Sequence, residues 1–367
     1  MTTSPVRALA FYLPQYHPIP ENDGWWGKGF TEWRNVAQAR PRFRGHAQPH
    51  LPADLGFYDL RVPEARAAQA ELARAHELSG FVYYHYWFNG RRLLERPLDE
   101  VLALGRPDFP FCLCWANESW TRNWDGQYGV HLIQQQYSPA DDQAHVAYLL
   151  RVFADPRYIR VDGRPLLLIY RTHDLPDPAA TATAWRQAAQ RAGWPDLYLC
   201  QVESNFAAEH SDPTHIGFDA SVEFQPDVFH LGEPLQRGRG WQRLRRARLA
   251  SRAYADNSIF DYGAVVERML AKPLPAYPYH RCVTPAWDNS ARRAKDAFIL
   301  KDSHPALYER WLREVVSRAA AGPQAPLVFI NAWNEWAEGC HLEPDQRHGR
   351  AYLEATRRAI EAGNGLG

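Results

Sequence analysis

Short apolar runs alternate with longer segments of helical composition along most of the chain, and this alternation limits the folds that the chain can adopt. The apolar runs have the length of strands and end at turn residues, whereas the segments between them are rich in Ala, Leu, Arg and Glu. Strands that alternate with helices form parallel sheets, and eight such units favour a closed barrel over an open sheet. The predicted strands are residues 6–12, 80–87, 111–116, 165–170, 197–202, 220–224, 279–285 and 327–333.

Helices are predicted between these strands and after the last one, over residues 62–78, 92–104, 140–154, 180–192, 241–270, 306–321 and 349–362. Only the link over residues 205–219 shows no clear helical pattern. One large α/β barrel commonly fills a chain of 367 residues. We therefore predict a single domain over residues 1–367 with the α/β fold of a (β/α)8 TIM-type barrel.

The loop after the first predicted strand, residues 18–61, is too long to be a simple connection. It carries Trp25, Trp26, Phe30 and Trp33, and the chain as a whole has 14 Trp, 18 Tyr and 16 Phe. Flat apolar rings beside polar groups suit carbohydrates, which present C–H faces and hydroxyl rims. We expect this aromatic loop to form a wall or lid of the site, although most aromatic residues taken singly are typical of a core.

Catalytic groups of such barrels lie where strands end and loops begin, at the carboxyl rim. The residues at these positions are polar or aromatic, and Trp26 joins them from the long loop. For Glu203 and Glu223, a structural hydrogen bond in the barrel mouth is as good an interpretation as a ligand contact. The predicted substrate-binding residues are Tyr16, His17, Trp26, His85, Trp87, Trp115, Asn117, Glu118, Glu203, Glu223, Trp287, Asn334 and Trp336.

Glu335 and Glu338 are the predicted catalytic pair. They follow the last apolar run, and a spacing of three residues in one turn places their Cβ atoms about 5 to 6 Å apart. Retaining glycoside chemistry requires two carboxyl groups this close. Many glycosidase barrels carry their glutamates on strands four and seven. Here strand four ends in Tyr170 and Arg171 and strand seven in Trp287, Asp288 and Asn289, so that pair of glutamates is missing.

Other kinds of chemistry find little support. The 42 acidic and 42 basic residues balance, which gives no sign of a nucleic-acid or membrane partner, and no Gly-rich phosphate loop follows a strand, so no cofactor is predicted. No metal is predicted, since the first strand ends in Tyr16 and His17 rather than a histidine pair, and His85 and His341 are interpreted as packing or hydrogen-bonding residues. The five cysteines are predicted to be buried thiols. No leader and no apolar stretch of about 18 residues is present, which predicts a cytoplasmic protein.

Several long motifs resemble the WbsX-type family, which carries a glycosyltransferase label. They are FYLPQYHPIPENDGWWGKGFTEW at residues 11–33, QPHLPADLGFYDLR at 48–61, YYHYWF at 83–88 and CWANE at 114–118. With WNEWAEG at residues 333–339, the resemblance covers about residues 6–355. The barrel and this closing motif are also similar to glycoside hydrolase family 99, the endo-α-mannosidases and endo-α-mannanases.

The similarity to family 99 implies a role for each glutamate. Glu335 would be the base that takes the proton from the substrate's own 2-hydroxyl, and Glu338 the acid that protonates the leaving oxygen. The intermediate would be a 1,2-anhydro sugar, which requires an axial 2-hydroxyl and points to α-linked mannose or D-rhamnose. The family's mannosidases usually carry His where this chain has Ala337, which makes D-rhamnan a hypothesis beside mannan.

Three functions remain open from the sequence. A retaining hydrolase is favoured, because the chain shows no clear sign of the diphosphate site that a nucleotide-sugar glycosyltransferase normally offers. A glycosyltransferase of polysaccharide synthesis is the first alternative, and a carbohydrate-binding barrel without catalysis is the second. The sugar linkage, endo or exo action and the oligomeric state are not predicted.

Overall fold

Eight parallel strands form the centre of the computed structural model, which describes residues 5–122, 130–204, 211–237, 239–247, 254 and 256–365. Each agrees with a predicted strand to within one residue at both ends, except that the seventh is broken into two short pieces and the eighth ends three residues early. The strands are β1 Arg7–Tyr12, β2 Gly80–Phe88, β3 Phe111–Trp115, β4 Arg164–Ile169, β5 Tyr198–Glu203, β6 Ala220–Glu223, β7 Tyr279–His280 with Cys282–Val283, and β8 Leu327–Ile330.

The strands are hydrogen-bonded in chain order, and β8 returns to β1, where Arg7 pairs with Leu327. The first piece of β7 pairs with β6 and the second with β8, so β7 completes the ring. Arg281 sits between the pieces and donates from Nε to Glu223 on β6 over 2.7 Å. The predicted (β/α)8 TIM-type barrel is confirmed, with β7 split at a buried ion pair.

Aromatic rings from opposite sides of the barrel meet in its interior. The Phe11 ring of β1 lies 5.6 Å from Tyr84 of β2, 5.8 Å from Phe224 and 6.0 Å from Phe329 of β8. Neighbouring residues on a strand point to opposite faces, so Tyr12 faces outward, where its hydroxyl donates to Gln69 over 2.7 Å. Full burial of each such side chain contributes about 1.5–3 kcal/mol to stability.

Helices cover the outside of the barrel close to where the sequence predicts them. Several begin at a side chain that accepts a backbone N–H, as Ser138 does from the amide of Asp141 over 3.1 Å, and most carry Pro in the first turn. The covering helices are Pro63–Arg74, Arg96–Leu104, Pro139–Phe153, Pro178–Arg191, Tyr262–Ala271, Pro305–Ala321 and Ala351–Gly363.

The predicted helix over residues 241–270 is wrong in its middle. The structure has helix Arg239–Arg246, a strand Asn257–Asp261 and helix Tyr262–Ala271, while residues 248–253 and 255 lie outside the described part. The strand pairs in parallel with Ala297–Lys301 and forms a small sheet beside the barrel. The adjacent apolar residues Ile259 and Phe260 were its signal, but this pair is short and the surrounding sequence, rich in Arg and Ala, favours a helix.

Shorter elements join these units. The link predicted to lack a helix holds the 3-10 turn Pro213–Ile216, while residues 205–210 fall outside the described part. The other 3-10 turns are Thr172–Asp174, Leu235–Arg237, Asn289–Ala291 and Trp336–Glu338. Antiparallel pairs join Arg91–Leu93 to β2, Arg160–Val161 to β4, Trp120–Thr121 to His131–Ile133, and Asn334–Glu335 to Cys340–His341.

The long loop after β1 packs over the carboxyl end of the barrel, as predicted for a wall of the site. It contains two short helices, Pro20–Trp26 and Glu32–Gln38. Trp33 anchors it, because its indole N–H donates to the Tyr58 carbonyl over 2.8 Å and its ring lies 5.5 Å from Trp336 after β8. No helix in the described residues has the length and apolar character needed to cross a bilayer.

Candidate active site

Glu335 and Glu338 lie on a tight hairpin, the catalytic hairpin, which follows β8. Strand Asn334–Glu335 pairs antiparallel with Cys340–His341, and the turn Trp336–Glu338 joins them. Gly339 ends the turn with φ of +63°, and a Cβ there would lie 3.0 Å from both the backbone nitrogen and the Cβ of Asp288. Only glycine fits this approach, which lets the Asp288 amide donate to the Glu338 carbonyl over 2.7 Å.

Buried polar groups fix the hairpin to the barrel. The Asn334 side chain accepts from the Leu13 amide over 2.7 Å and donates to the Leu13 carbonyl over 3.0 Å. The Tyr16 hydroxyl donates to the Asn334 carbonyl over 2.6 Å and accepts from the Trp336 amide over 3.2 Å. The Trp336 indole donates to Glu343 over 2.6 Å. Tyr16, Asn334 and Trp336 are fully buried, so the structure places them as supports of the hairpin.

Arg292 connects the two predicted catalytic carboxylates. Its Nη1 lies 2.6 Å from Glu338, its Nη2 3.2 Å from Glu335, and its Nε 3.1 Å from Glu32 of the long loop. The Glu32 side chain is 1% exposed, that of Arg292 5% and that of Glu335 8%, whereas that of Glu338 is 21% exposed. Three carboxylates therefore share one guanidinium, and Glu338 is the most accessible of them.

This charge pattern changes the acidity of the pair. Burial raises the pKa of Glu335 to about 8; Arg292 opposes the shift, and the charges of Glu338 and Glu32 add to it. Burial also raises the pKa of Glu338, again against Arg292 and with a contribution from Glu32. Carboxyl groups this close titrate as a unit. The pair can therefore hold a proton near neutral pH, which acid–base catalysis requires.

Further polar side chains face the carboxylates from the barrel interior. Glu118 after β3 forms an ion pair with Arg171 after β4, and burial raises the pKa of Glu118, with Arg171 lowering it and Glu338 raising it. Tyr84 and Tyr170 are half-buried and pack edge to face at 6.3 Å. The charge of Glu335 contributes to the raised pKa of Tyr84, and those of Glu118 and Glu338 to that of Tyr170. Glu118, Tyr84 and Tyr170 therefore lie near enough to Glu335 and Glu338 for their charges to interact.

His85, Trp87 and Trp115 point away from this group, into the layer between barrel and helices. His85 Nε2 lies 3.1 Å from Nε2 of His145 on helix Pro139–Phe153, and the Trp87 indole donates to Asp141 on the same helix over 2.9 Å. The Trp115 ring packs edge to face on His145 at 4.6 Å. The predicted strand was right, but the predicted face was not, because alternation places Tyr84 and Tyr86 on the inner side.

The remaining predicted residues hold loops together. Asn117 exchanges hydrogen bonds with the backbone of Arg171, both 2.8 Å long. Glu223 has the structural role that was one of its two interpretations, because its buried carboxylate forms ion pairs with Lys272 at 2.9 Å and Arg281 at 2.7 Å. Glu203 accepts from the Tyr277 hydroxyl over 2.6 Å.

Three aromatic candidates lie apart from the carboxylates. His17 is buried, and burial lowers its pKa to about 4, while the charge of Asp59 opposes this shift. Trp26 is half-buried under the Arg122 guanidinium, 5.4 Å from the ring centroid. Trp287 lines a cavity beside the hairpin.

Sequence reasoning missed the two charged residues that complete the cluster, Glu32 and Arg292. Glu32 lies in the GFTEW segment of the long loop, where an acid among aromatic residues was a visible signal. Arg292 follows β7 by nine residues, in a turn that the small parallel sheet holds through the Phe298 amide, which donates to Asn289 over 2.8 Å. No local pattern identified that sheet, so nothing in the sequence marked Arg292 above its neighbour Arg293.

A family model described as glycosyltransferase WbsX matches residues 8–356. The chain belongs to the WbsX family. Two curated relatives, each named uncharacterized protein WxcX, come from Xanthomonas campestris pv. campestris strains B100 and ATCC 33913. Each is 47% identical over 360 residues, which is 98% of this chain and 50% of the relative. This WbsX chain therefore spans about half the length of the curated relatives it matches.

Solved structures with the same fold come from glycoside hydrolases. A glycoside hydrolase-like protein superposes with a TM-score of 0.61 at 15% identity, over 98% of this chain and 95% of its own. A family 99 endo-α-mannosidase from Bacteroides thetaiotaomicron superposes with a TM-score of 0.55 at 14% identity, over 98% of each chain. At this identity the likeness establishes the barrel of this WbsX chain and not its chemistry.

Proposed function

We propose that this WbsX chain is a retaining glycoside hydrolase that cleaves an α-linked, manno-configured polysaccharide through a 1,2-anhydro sugar. The observation that carries the proposal is the pair of glutamates on one hairpin, Glu335 buried and Glu338 partly exposed, both bound by Arg292. The fold shared with an endo-α-mannosidase supports it. A mouth that is aromatic, polar and rich in carboxylates suits a neutral sugar better than a diphosphate.

The first step uses one proton of the pair. Glu335 removes the proton of the 2-hydroxyl, and O2 forms a bond to C1 while the bond from C1 to the leaving oxygen breaks. Glu338 delivers its proton to that oxygen. The reactive form of the pair holds its one proton on Glu338 and leaves Glu335 ionised, and the raised pKa of Glu335 makes that carboxylate the stronger base toward a sugar hydroxyl.

The second step reverses both transfers. Glu338, the more exposed of the two, removes a proton from water, which attacks C1 and breaks the bond to O2. Glu335 then returns its proton to O2, so the configuration at C1 is retained. Arg292 contacts both carboxylates and limits the repulsion between them when each carries charge in turn.

The choice between mannose and D-rhamnose depends on other residues of the mouth than Ala337. The Ala337 side chain is fully buried, so it does not face a sugar directly. A panel of polymers that tests the substrate should therefore include both α-mannans and α-D-rhamnans.

The decisive experiment follows product formation from this panel by proton NMR, with wild type, Glu335→Gln and Glu338→Gln side by side. We expect an α-anomer to appear first and both variants to lose about 100-fold or more in rate. An activated aryl α-mannoside separates the roles, because a good leaving group needs no acid: Glu338→Gln should retain cleavage of it and Glu335→Gln should not. A β-anomer as first product would exclude the retaining mechanism.

The description of the family supports a second candidate, a glycosyltransferase of polysaccharide synthesis. That reaction requires a sugar donor, commonly a nucleoside diphosphate sugar. Thermal-shift measurements with a set of such donors test it directly, and binding of one donor together with no cleavage of any polymer would favour this candidate over the hydrolase.

A further inference from the structure

A cavity of about 300 Å³ lies next to the catalytic hairpin. Its wall includes Gly339 and Asp288, which contact the hairpin turn, but neither Glu335 nor Glu338. Histidines and carboxylates from three separate parts of the chain line it: His46, His50, Asp288, His341, Asp345 and His348. The proposed hydrolysis uses none of these side chains.

Three side chains in this cavity bring their ligand atoms together. His50 Nδ1 lies 3.1 Å from His341 Nε2, which lies 3.8 Å from Asp345 Oδ2, and all three ligand atoms are within 4.8 Å of one another. A tetrahedral site with metal–nitrogen bonds of about 2.0–2.1 Å has ligand atoms roughly 3.3 Å apart. The two imidazole nitrogens already have nearly this separation.

The hydrogen bonds that His341 and Asp345 make to the backbone leave one ligand atom of each side chain available to a metal ion. His341 Nδ1 lies 3.0 Å from the Glu343 carbonyl, which can only accept, so Nδ1 carries the proton and Nε2 the lone pair. Asp345 Oδ1 accepts from the amides of Arg347 at 2.9 Å and His348 at 2.6 Å, which leaves Oδ2 toward His341. Metal-binding histidines and carboxylates are typically oriented by hydrogen bonds of this kind.

The backbone holds these ligands in register. The Ala53 amide donates to the Pro344 carbonyl over 2.9 Å, and the Gln346 amide donates to the Leu51 carbonyl over 2.9 Å. These bonds fix the long loop, which supplies His50, against the segment that supplies Asp345. The His341 ring stacks on Trp336, with 3.7 Å between ring centroids and 15° between planes, so its orientation is fixed as well.

We propose that His50, His341 and Asp345 bind a divalent transition-metal ion, and that Zn²⁺ suits this set of two imidazoles and one carboxylate. Water completes the coordination. The ion joins the loop after β1 to the catalytic hairpin and acts as a structural clamp. The prediction of no metal rested on local spacing, whereas these ligands are brought together only by the fold.

Metal binding by the purified chain tests the clamp without any substrate. After removal of metals with a chelator, Zn²⁺ is added and the bound metal is counted by plasma mass spectrometry, and Co²⁺ is added for its visible absorption. We expect one equivalent of Zn²⁺, the intense d–d bands of four-coordinate Co²⁺ and a higher Tm with either ion. Absence of both the stoichiometric Zn²⁺ and the Co²⁺ bands in the wild type would overturn the proposal.

Variants assign the ligands. His50→Gln and Asp345→Asn should each weaken Zn²⁺ binding by about 100-fold or more, while His215→Gln, which removes an exposed histidine, should leave it unchanged. His50 is half-buried, so its replacement should leave the fold intact by circular dichroism. Equal binding in the wild type and His50→Gln would show that the two rings form only a hydrogen bond, and the proposal would be wrong.

Discussion

Replacing Glu335 with Gln should make the protein more stable as well as inactive. The substitution keeps the shape and hydrogen-bonding capacity of the side chain but removes its charge. Glu335 is buried beside two other carboxylates and only one guanidinium, so its ionised form is unfavourable in the folded state. Glutamine cannot ionise, and it can still accept from Arg292.

The size of the effect follows from the pKa. In the folded protein the pKa of Glu335 is raised to about 8, against a usual value of 4.5. Below pH 4.5 the group is protonated in both states and has no effect on stability. As the pH rises toward 8, the unfolded state loses the proton first, and wild-type stability decreases by about 1.4 kcal/mol per pH unit. At pH 7 the loss is about 3 kcal/mol.

Denaturant unfolding of wild type and Glu335→Gln at several pH values between 4 and 8 measures this difference. The two proteins should be similar in stability near pH 4 and diverge steadily above it. For 367 residues, about 3 kcal/mol corresponds to a rise in Tm of about 4 °C. Glu233→Gln, which changes an exposed glutamate, is the control and should show no such divergence.

A difference that stays flat between pH 5 and 8 would refute the reasoning, since it would show that Glu335 ionises as easily in the folded protein as in the unfolded one. A variant less stable than wild type at pH 7 would refute it too. Either result would mean that Arg292 fully compensates the burial of the pair.

Four further outcomes follow from the same contacts. Arg292→Met should lower the free energy of unfolding by about 3–5 kcal/mol, because it leaves buried carboxylates without their shared cation. Arg292→Lys should recover part of the lost stability. An unfolding midpoint of Arg292→Met equal to that of the wild type would contradict this prediction. Tyr16→Phe leaves the Trp336 amide without its hydrogen-bond acceptor, so both the free energy of unfolding, by about 1–3 kcal/mol, and kcat should fall. The control Tyr308→Phe loses a hydrogen bond to Thr356 and should leave kcat unchanged. Burial lowers the pKa of His85 to about 3, so between pH 6.5 and 3 this side chain is protonated only in the unfolded state. The free energy of unfolding should therefore fall by about 1.4 kcal/mol per pH unit below pH 6.5. Urea unfolding at pH 7, 6 and 5 should show a smaller decrease in His85→Gln than in the wild type. If the active pair holds one proton, kcat/KM should decline above about pH 8, and an unchanged rate up to pH 9.5 would exclude this.

The barrel was predictable because its signals are local. Apolar runs such as Phe111–Trp115 and Leu327–Ile330 are buried along their whole length, so they appear as continuous apolar segments that composition alone reveals. Strand Asn257–Asp261 was missed because its signal is shorter than the helical pattern on either side. The break in β7 at Arg281 depends on a glutamate of another strand, which no local pattern contains.

The candidate site shows the same contrast between features that are local in the sequence and features that depend on distant parts of the chain. Glu335 and Glu338 were correctly predicted to lie close together, because both follow one strand within a single turn. The inner face of β2 was chosen wrongly, since a strand so rich in aromatic residues offers no polar alternation to show whether Tyr84 or His85 faces inward. Arg292 was missed because its role depends on carboxylates from two other loops.

The pairing of β1 with β8 also fixes the order of events during synthesis. Arg7 leaves the ribosome about 320 residues ahead of its partner Leu327, which is roughly half a minute at ~10 residues per second. Until then one edge of β1 has no neighbour, and the segment that carries Glu335 and Glu338 does not yet exist. A nascent chain therefore gains Glu335 and Glu338 only at the moment when its sheet can close.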